Sequence, residues 1–220
     1  SEMLRVPVER LEAKNRLIYD REDTHKSLTF TEVAAKCMAM GKRLIGQGWW
    51  TPPAPSLDPE TGQGNPYFVY TYSTHMAEVL VDVETGGVEV TDYVAAFDVG
   101  KAINPKALEG QIEGGVAMGL GYALMEEVAM VDGIPQNLNL QDYLIPTSLD
   151  MPDVKPIVLE VENKFGPYGA KGIGEMPNIP ATPAILNAIT DACGGRVRSL
   201  PADPERVFMA IREAGGPPER

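Results

Sequence analysis

Cysteine is scarce in this sequence, with only Cys37 and Cys193 among 220 residues. That scarcity excludes a disulfide-stapled scaffold and any CxxC-type metal or cluster site. Histidine is equally rare, at His25 and His75, which excludes a zinc centre built on several imidazoles. Positive charge is also short. Lys and Arg number 19 against 31 Asp and Glu, a formal net charge of −12. This balance argues against nucleic acid, or an anionic membrane surface, as the main partner. No run approaches 18 consecutive apolar residues, and Ser1-Glu2-Met3-Leu4-Arg5 has no charged-then-apolar signal pattern. The expected compartment is therefore the cytoplasm. What remains is a globular balance, 44% apolar and 23% charged, in a chain long enough to bury a core.

Glycine (22) and proline (19) are abundant, and they cluster. Residues 1–48 read as a small α+β lobe. Arg16-Leu17-Ile18-Tyr19 is a strand candidate, and Thr29 followed by Glu32 reads as a capping box. Val33, Ala34, Cys37, Met40 and Leu44 recur behind it at helical spacing. That places Cys37 on a buried face, as a small core residue. Residues 49–66 are a Pro/Gly-rich loop, in which Trp49 and Trp50 are expected to anchor by burial. Residues 67–220 form the larger lobe.

In the larger lobe, Val79, Val81 and Val83 alternate with polar or outward positions. Thr85-Gly86-Gly87 then turns the chain into Val88 and Val90. His75, inside the first of these strands, reads as a structural histidine. Asn104-Pro105 opens a helix whose Leu108, Ile112, Val116, Leu120 and Leu124 repeat every four residues. The same helix carries Gly110, Gly114, Gly115, Gly119 and Gly121. Each costs about 0.8–1.0 kcal/mol against alanine, so either close packing or an approaching ligand must compensate. Pro156–Val161 is a further strand candidate. Thr182-Pro183 and Asp203-Pro204 start two closing helices, which stop at Gly194-Gly195 and Gly215-Gly216. The fold class is α+β, two-lobed, with mixed strands and packed helices.

The chemistry concentrates in Gly169-Ala170-Lys171-Gly172-Ile173-Gly174-Glu175. Its glycines let the backbone come close to a ligand, and exposed N–H groups in such a loop can bind an anion. Lys171 adds a charge. Glu175 is a carboxylate placed to act as a general base. The loop is neither a P-loop nor a dinucleotide GxGxxG turn. Taken alone this is a weak signal, and a solvated loop that caps the next helix accounts for it better than a site does.

Order along the chain is more specific. Asp98-Val99-Gly100, Ile103-Asn104-Pro105, Glu109-Gly110-Gln111-Ile112-Glu113-Gly114-Gly115, Gly119-Leu120-Gly121 and the 169–175 loop follow one another. Asp58-Pro59-Glu60-Thr61-Gly62-Gln63-Gly64-Asn65-Pro66 and Tyr70-Thr71-Tyr72 lie upstream. The set resembles the C-terminal part of the molybdenum-binding subunit of the xanthine dehydrogenase/aldehyde oxidoreductase family of molybdenum hydroxylases.

The resemblance implies a molybdenum pyranopterin cofactor, in bacteria usually its cytosine dinucleotide form. It implies hydroxylation of an N-heterocycle or an aldehyde with oxygen from water. By the same resemblance Glu175 is the catalytic base and Gln111 contacts the cofactor near the metal. Lys171, Gly172, Ile173 and Gly174 line the cofactor, and no side chain of this chain is a metal ligand. Family subunits are several times longer, and their N-terminal substrate-channel half has no counterpart in these 220 residues. The chain then corresponds to a C-terminal portion or a split subunit, inactive in isolation. Its partners would be the missing molybdenum half and subunits carrying FAD and [2Fe-2S] clusters, since two cysteines cannot hold a cluster. The alternative is a non-catalytic docking module that keeps the fold without the cofactor.

Overall fold

The computed structural model describes residues 1–53 and 56–216. Ala54 and Pro55 of the expected 49–66 loop, and the last four residues of the larger lobe, lie outside the described residues. The chain divides into two compact units, Ser1–Thr51 and Pro52–Arg220.

In the first unit, β1 (Leu11–Lys14), β2 (Leu17–Asp20) and β3 (Ser27–Thr29) form an antiparallel sheet in sequential order. Asp20 is fully buried at the end of β2. Arg10 holds it with Nε donating to Oδ1 at 3.0 Å and Nη2 donating to Oδ2 at 2.5 Å. The Glu22 N–H donates a third bond. Arg10's hydrogen bond outweighs the cost of burial and keeps the Asp20 carboxyl below the ordinary carboxylate range. Helix α1 (Phe30–Ala39) follows at once, and the capping box forms: Thr29 Oγ1 accepts from the Glu32 N–H, and Glu32 accepts from the Thr29 N–H. The expected buried stripe is only partial. Gly41 turns left-handed just past the helix end, so Leu44 never joins the helical face and is exposed. Val33 and Cys37 are half-buried, and Met40 is exposed.

The second unit begins in the Pro/Gly-rich segment. A two-residue-per-strand hairpin, β4 (Ser56–Leu57) with β5 (Gly64–Asn65), interrupts the irregular backbone there. The tryptophans do not anchor it by burial: Trp49 is 88% and Trp50 44% exposed.

Strands β6 (Ser73–Val81) and β7 (Val88–Asp98) form the expected antiparallel pair. Asp82 fixes the turn by accepting from the Glu84 N–H and the Thr85 hydroxyl. From β7 the chain enters α2 (Pro105–Leu124). A small hairpin follows, β8 (Met130–Val131) with β9 (Ile134–Pro135), and then β10 (Asp153–Leu159). β10 lies parallel to β7, giving the order β10–β7–β6. Helices α3 (Ala181–Cys193) and α4 (Pro204–Glu213) complete the unit.

Tyr93, Ala95 and Phe97 of β7 are buried in one core with Ile112, Val116 and Leu120 of α2, Ile185 and Ile189 of α3 and Val207 of α4. Each large aliphatic side chain buried here contributes about 1.5–3 kcal/mol. The alternate positions Met76, Leu80, Ile157 and Leu159 are exposed. Among the described residues, no helix is long and apolar enough to cross a membrane.

His75 is structural in its geometry. Its Nδ1 lies 2.7 Å from the Tyr93 hydroxyl, its ring is edge-on to Tyr93 and Phe97, and its buried Nε2 has no hydrogen-bond partner among the described residues. Burial pushes its pKa down to about 4. The unfolded chain would protonate near pH 6.5. The stability tied to the neutral ring is therefore complete above about pH 6.5 and is lost as pH drops from there through about 4. The loss from this residue should be roughly 1–2 kcal/mol, given its partial exposure. Urea midpoints at pH 7 and 4 should converge in His75→Gln. An equally steep acid loss in that variant would show that His75 is not the source.

Candidate functional site

Two segments build the site, and each is held for a local reason. The first is the start of α2. Asn104 Oδ1 accepts from the Ala107 N–H at 3.1 Å and caps the helix, with Pro105 in its first turn. The apolar repeat faces the core, which leaves Gln111 on the exposed side two turns in.

The second segment is the 169–175 loop. Gly100 and Ala170 form an isolated antiparallel bridge just beyond β7. The Lys171 N–H donates to the Val99 carbonyl, and the Lys101 N–H to the Gly169 carbonyl, both at 2.9 Å. Gly100 has φ +64°, and a Cβ there would sit 2.1 Å from the Gly169 carbonyl oxygen, so this close backbone approach requires glycine. Ile173 packs against the core from within the loop.

The two segments meet. Gln111 Nε2 donates to the Gly174 carbonyl at 2.5 Å, which places the amide beside the residue preceding Glu175. Between them lies a hollow of about 360 Å³, with Gln111, Asn104, Ala107, Lys171, Ile173 and Gly174 in its wall. Gly172, Gly174 and Glu175 are exposed. Among the described residues, the N–H groups of 172–175 make no backbone hydrogen bond, and the Glu175 carboxylate has no hydrogen-bond or ion-pair partner. A Cβ built on Gly172, Gly174, Gly110 or Gly114 meets nothing within 4 Å.

Lys171 is the exception to this openness. Its ammonium lies 2.5 Å from Asp98 Oδ2, and these two side chains are only 8% and 10% exposed. It also donates to the Tyr70 carbonyl at 3.2 Å. Burial pushes the Asp98 carboxyl up. Lys171 and the N–H groups of Gly100 and Val161 more than offset this and hold it below the ordinary range. Asp98 and Tyr70 stand within the sequence motifs, yet the sequence assigns neither a task. The available signal was a carboxylate closing the apolar run Tyr93-Val94-Ala95-Ala96-Phe97 at the end of β7.

Residues 1–152 match the molybdopterin cofactor-binding domain family. The chain belongs to that family, which is found in the molybdenum-binding subunits of xanthine dehydrogenases and aldehyde oxidoreductases. It is 43% identical over 149 residues to a probable xanthine dehydrogenase subunit of Bacillus subtilis (strain 168), covering 68% of this chain and 20% of that protein. It is 39% identical over 169 residues to the aldehyde oxidoreductase of Megalodesulfovibrio gigas, covering 76% of this chain and 18% of that one. The crystal structure of the aldehyde oxidoreductase from Desulfovibrio desulfuricans ATCC 27774 superposes with a TM-score of 0.71. That match has 38% identity and covers 80% of this chain and 19% of its counterpart. The chain thus spans about a fifth of the length of these relatives. The family match includes Gln111 and ends before the 169–175 loop.

The donor set suits a pterin cofactor. Such a group is polar and broad, and it needs neutral donors and acceptors with little steric bulk. A primary amide, free backbone N–H groups and glycines bordering open space supply these without adding charge.

Proposed function

We propose that this chain supplies one wall of the cofactor site of a molybdenum hydroxylase, with Glu175 as the general base. The observation that supports it is the Gln111–Gly174 hydrogen bond, which ties an exposed amide in the wall of the hollow to the residue just before Glu175. Gln111 and the backbone of Lys171, Gly172, Ile173 and Gly174 would hold a molybdenum pyranopterin, in its cytosine dinucleotide form. When bound, that group supplies the two-electron redox chemistry by which an N-heterocycle or an aldehyde gains an oxygen from water.

The part of this chain is narrower. Gln111 orients by donating from Nε2 and accepting at Oε1. The loop offers close backbone approach. Glu175 takes up a proton at a carboxylate oxygen and returns it to solvent. A base must be unencumbered to do this, and among the described residues no cation or N–H group ties down the exposed Glu175 carboxylate, one residue beyond the hollow's wall at Gly174. The rest of the molybdenum subunit and partners carrying FAD and [2Fe-2S] would complete the enzyme in the cytoplasm. The deciding experiment is Glu175→Gln in the assembled complex, read as turnover against molybdenum content.

A further inference from the structure

The charge of Lys171 faces the protein interior. We propose that the buried Asp98–Lys171 pair is a positioning device that pins the 169–175 loop to the end of β7 and so sets where Glu175 stands. The functional half of this inference rests on the reading above; the structural half does not.

The ammonium joins three segments. It reaches Asp98 Oδ2 at 2.5 Å and the Tyr70 carbonyl at 3.2 Å, and it sits 6.0 Å from the centre of the Tyr72 ring. Asp98 Oδ1 meanwhile accepts from the Gly100 N–H at 3.1 Å, at the point where the loop bridges to the strand end. A lysine meant for an anionic ligand would keep its charge toward the hollow. Here the carboxylate already neutralises it, so what the loop offers the hollow is backbone.

The loop is then tied residue by residue. The Gly172 carbonyl accepts from Thr71 Oγ1 at 3.3 Å, and the Gly174 carbonyl accepts from Gln111 at 2.5 Å. The second of these ties falls on the residue just before Glu175, whose own carbonyl accepts from the Asn178 N–H at 3.1 Å. Buried ion pairs contribute little net stability but fix geometry in some proteins. This one lies where geometry is needed. The side chains of Lys171 and Asp98 touch no ligand in this scheme, so the pair they form acts by positioning.

Hydrogen exchange on the 220-residue chain tests the structural half. In Lys171→Met, the amides that tie the loop to the strand end, those of residues 171 and 101, should exchange about tenfold faster or more, while those of β7 and α2 keep their protection. Lys171→Arg, which can still pair with Asp98, should restore most of the loop's protection. Should Lys171→Met fail to fold, Asp98→Asn/Lys171→Met carries the test, because it leaves no unpaired buried charge. It should fold and still show the fast loop. A folded double variant with the loop at the wild-type rate overturns the proposal. So does protection lost equally across β7 and the loop, which would make the pair a general stabiliser.

In the assembled enzyme the double variant should lower kcat with KM nearly unchanged, and should cost nothing further once Glu175→Gln is present. If Glu175→Gln leaves turnover intact, the general-base reading fails, and the exchange result still decides the strut.

Discussion

Glu175→Gln should reduce turnover of the complex rebuilt around this chain by about 10²–10⁴-fold, the usual contribution of a positioned general base. The substitution is nearly isosteric and removes the proton-accepting charge. It should leave the site otherwise intact. The Glu175 side chain holds no partner among the described residues, and its carbonyl still accepts from the Asn178 N–H at 3.1 Å. Molybdenum content should therefore stay at the wild-type level while the rate collapses. Gln111→Ala should behave differently. It removes the donor to the Gly174 carbonyl together with the neutral contact toward the cofactor, so bound molybdenum should fall along with turnover. If Glu175→Gln turned over at near wild-type rate with metal present, the carboxylate would not be the base. A complex without molybdenum even around the wild-type chain would favour the docking-module reading.

Local chemistry was legible in the sequence; pairing between distant segments was not. Thr29 with Glu32, Asn104 with Pro105 and Asp203 with Pro204 each announce a helix start, because a cap is decided within four residues. The four-residue apolar repeat of α2 fixes its buried face. Trp49 misled because bulk and apolarity say that a ring benefits from burial, not that a packed surface is within its reach. Leu44 misled because the periodicity was read past the left-handed Gly41. The parallel pairing of β10 with β7 needs the whole α2 crossover in place before the strands can meet. The Asp98–Lys171 contact spans 73 residues, and no local rule predicts it. Gln111 and the 169–175 loop were joined in the sequence only by family resemblance; the hydrogen bond between them is a fact of the fold.

The glycines of α2 divide into two sets, and that division yields the second large effect. A Cβ on Gly119 would lie 2.3 Å from the Ala181 Cβ and 3.1 Å from the Asn178 carbonyl oxygen; one on Gly115 would lie 2.4 Å from the Pro177 Cβ. These glycines let α2 press against the start of α3, where Thr182 Oγ1 also donates to the Gly119 carbonyl at 2.8 Å. Gly119→Ala should destabilise the chain by about 1–3 kcal/mol through overpacking, despite the helix propensity that alanine adds. Gly119→Val should cost more. Gly114 is the opposite case, exposed and with nothing within 4 Å of its added Cβ. Gly114→Ala should stabilise the chain by up to about 1 kcal/mol, because only the helical penalty of glycine is relieved. Denaturant midpoints of the two variants should therefore move in opposite directions. A Gly119→Ala variant more stable than the wild type would contradict the packing account of α2 against α3. The Gly114 result also bears on the proposed cofactor wall: among the described residues nothing meets a side chain added there, which leaves this face of α2 open to a group supplied from outside the chain. Gly114→Ala should accordingly strengthen the fold and lower the molybdenum retained by the assembled complex. Stability gained with no loss of metal would leave that glycine unexplained by the cofactor.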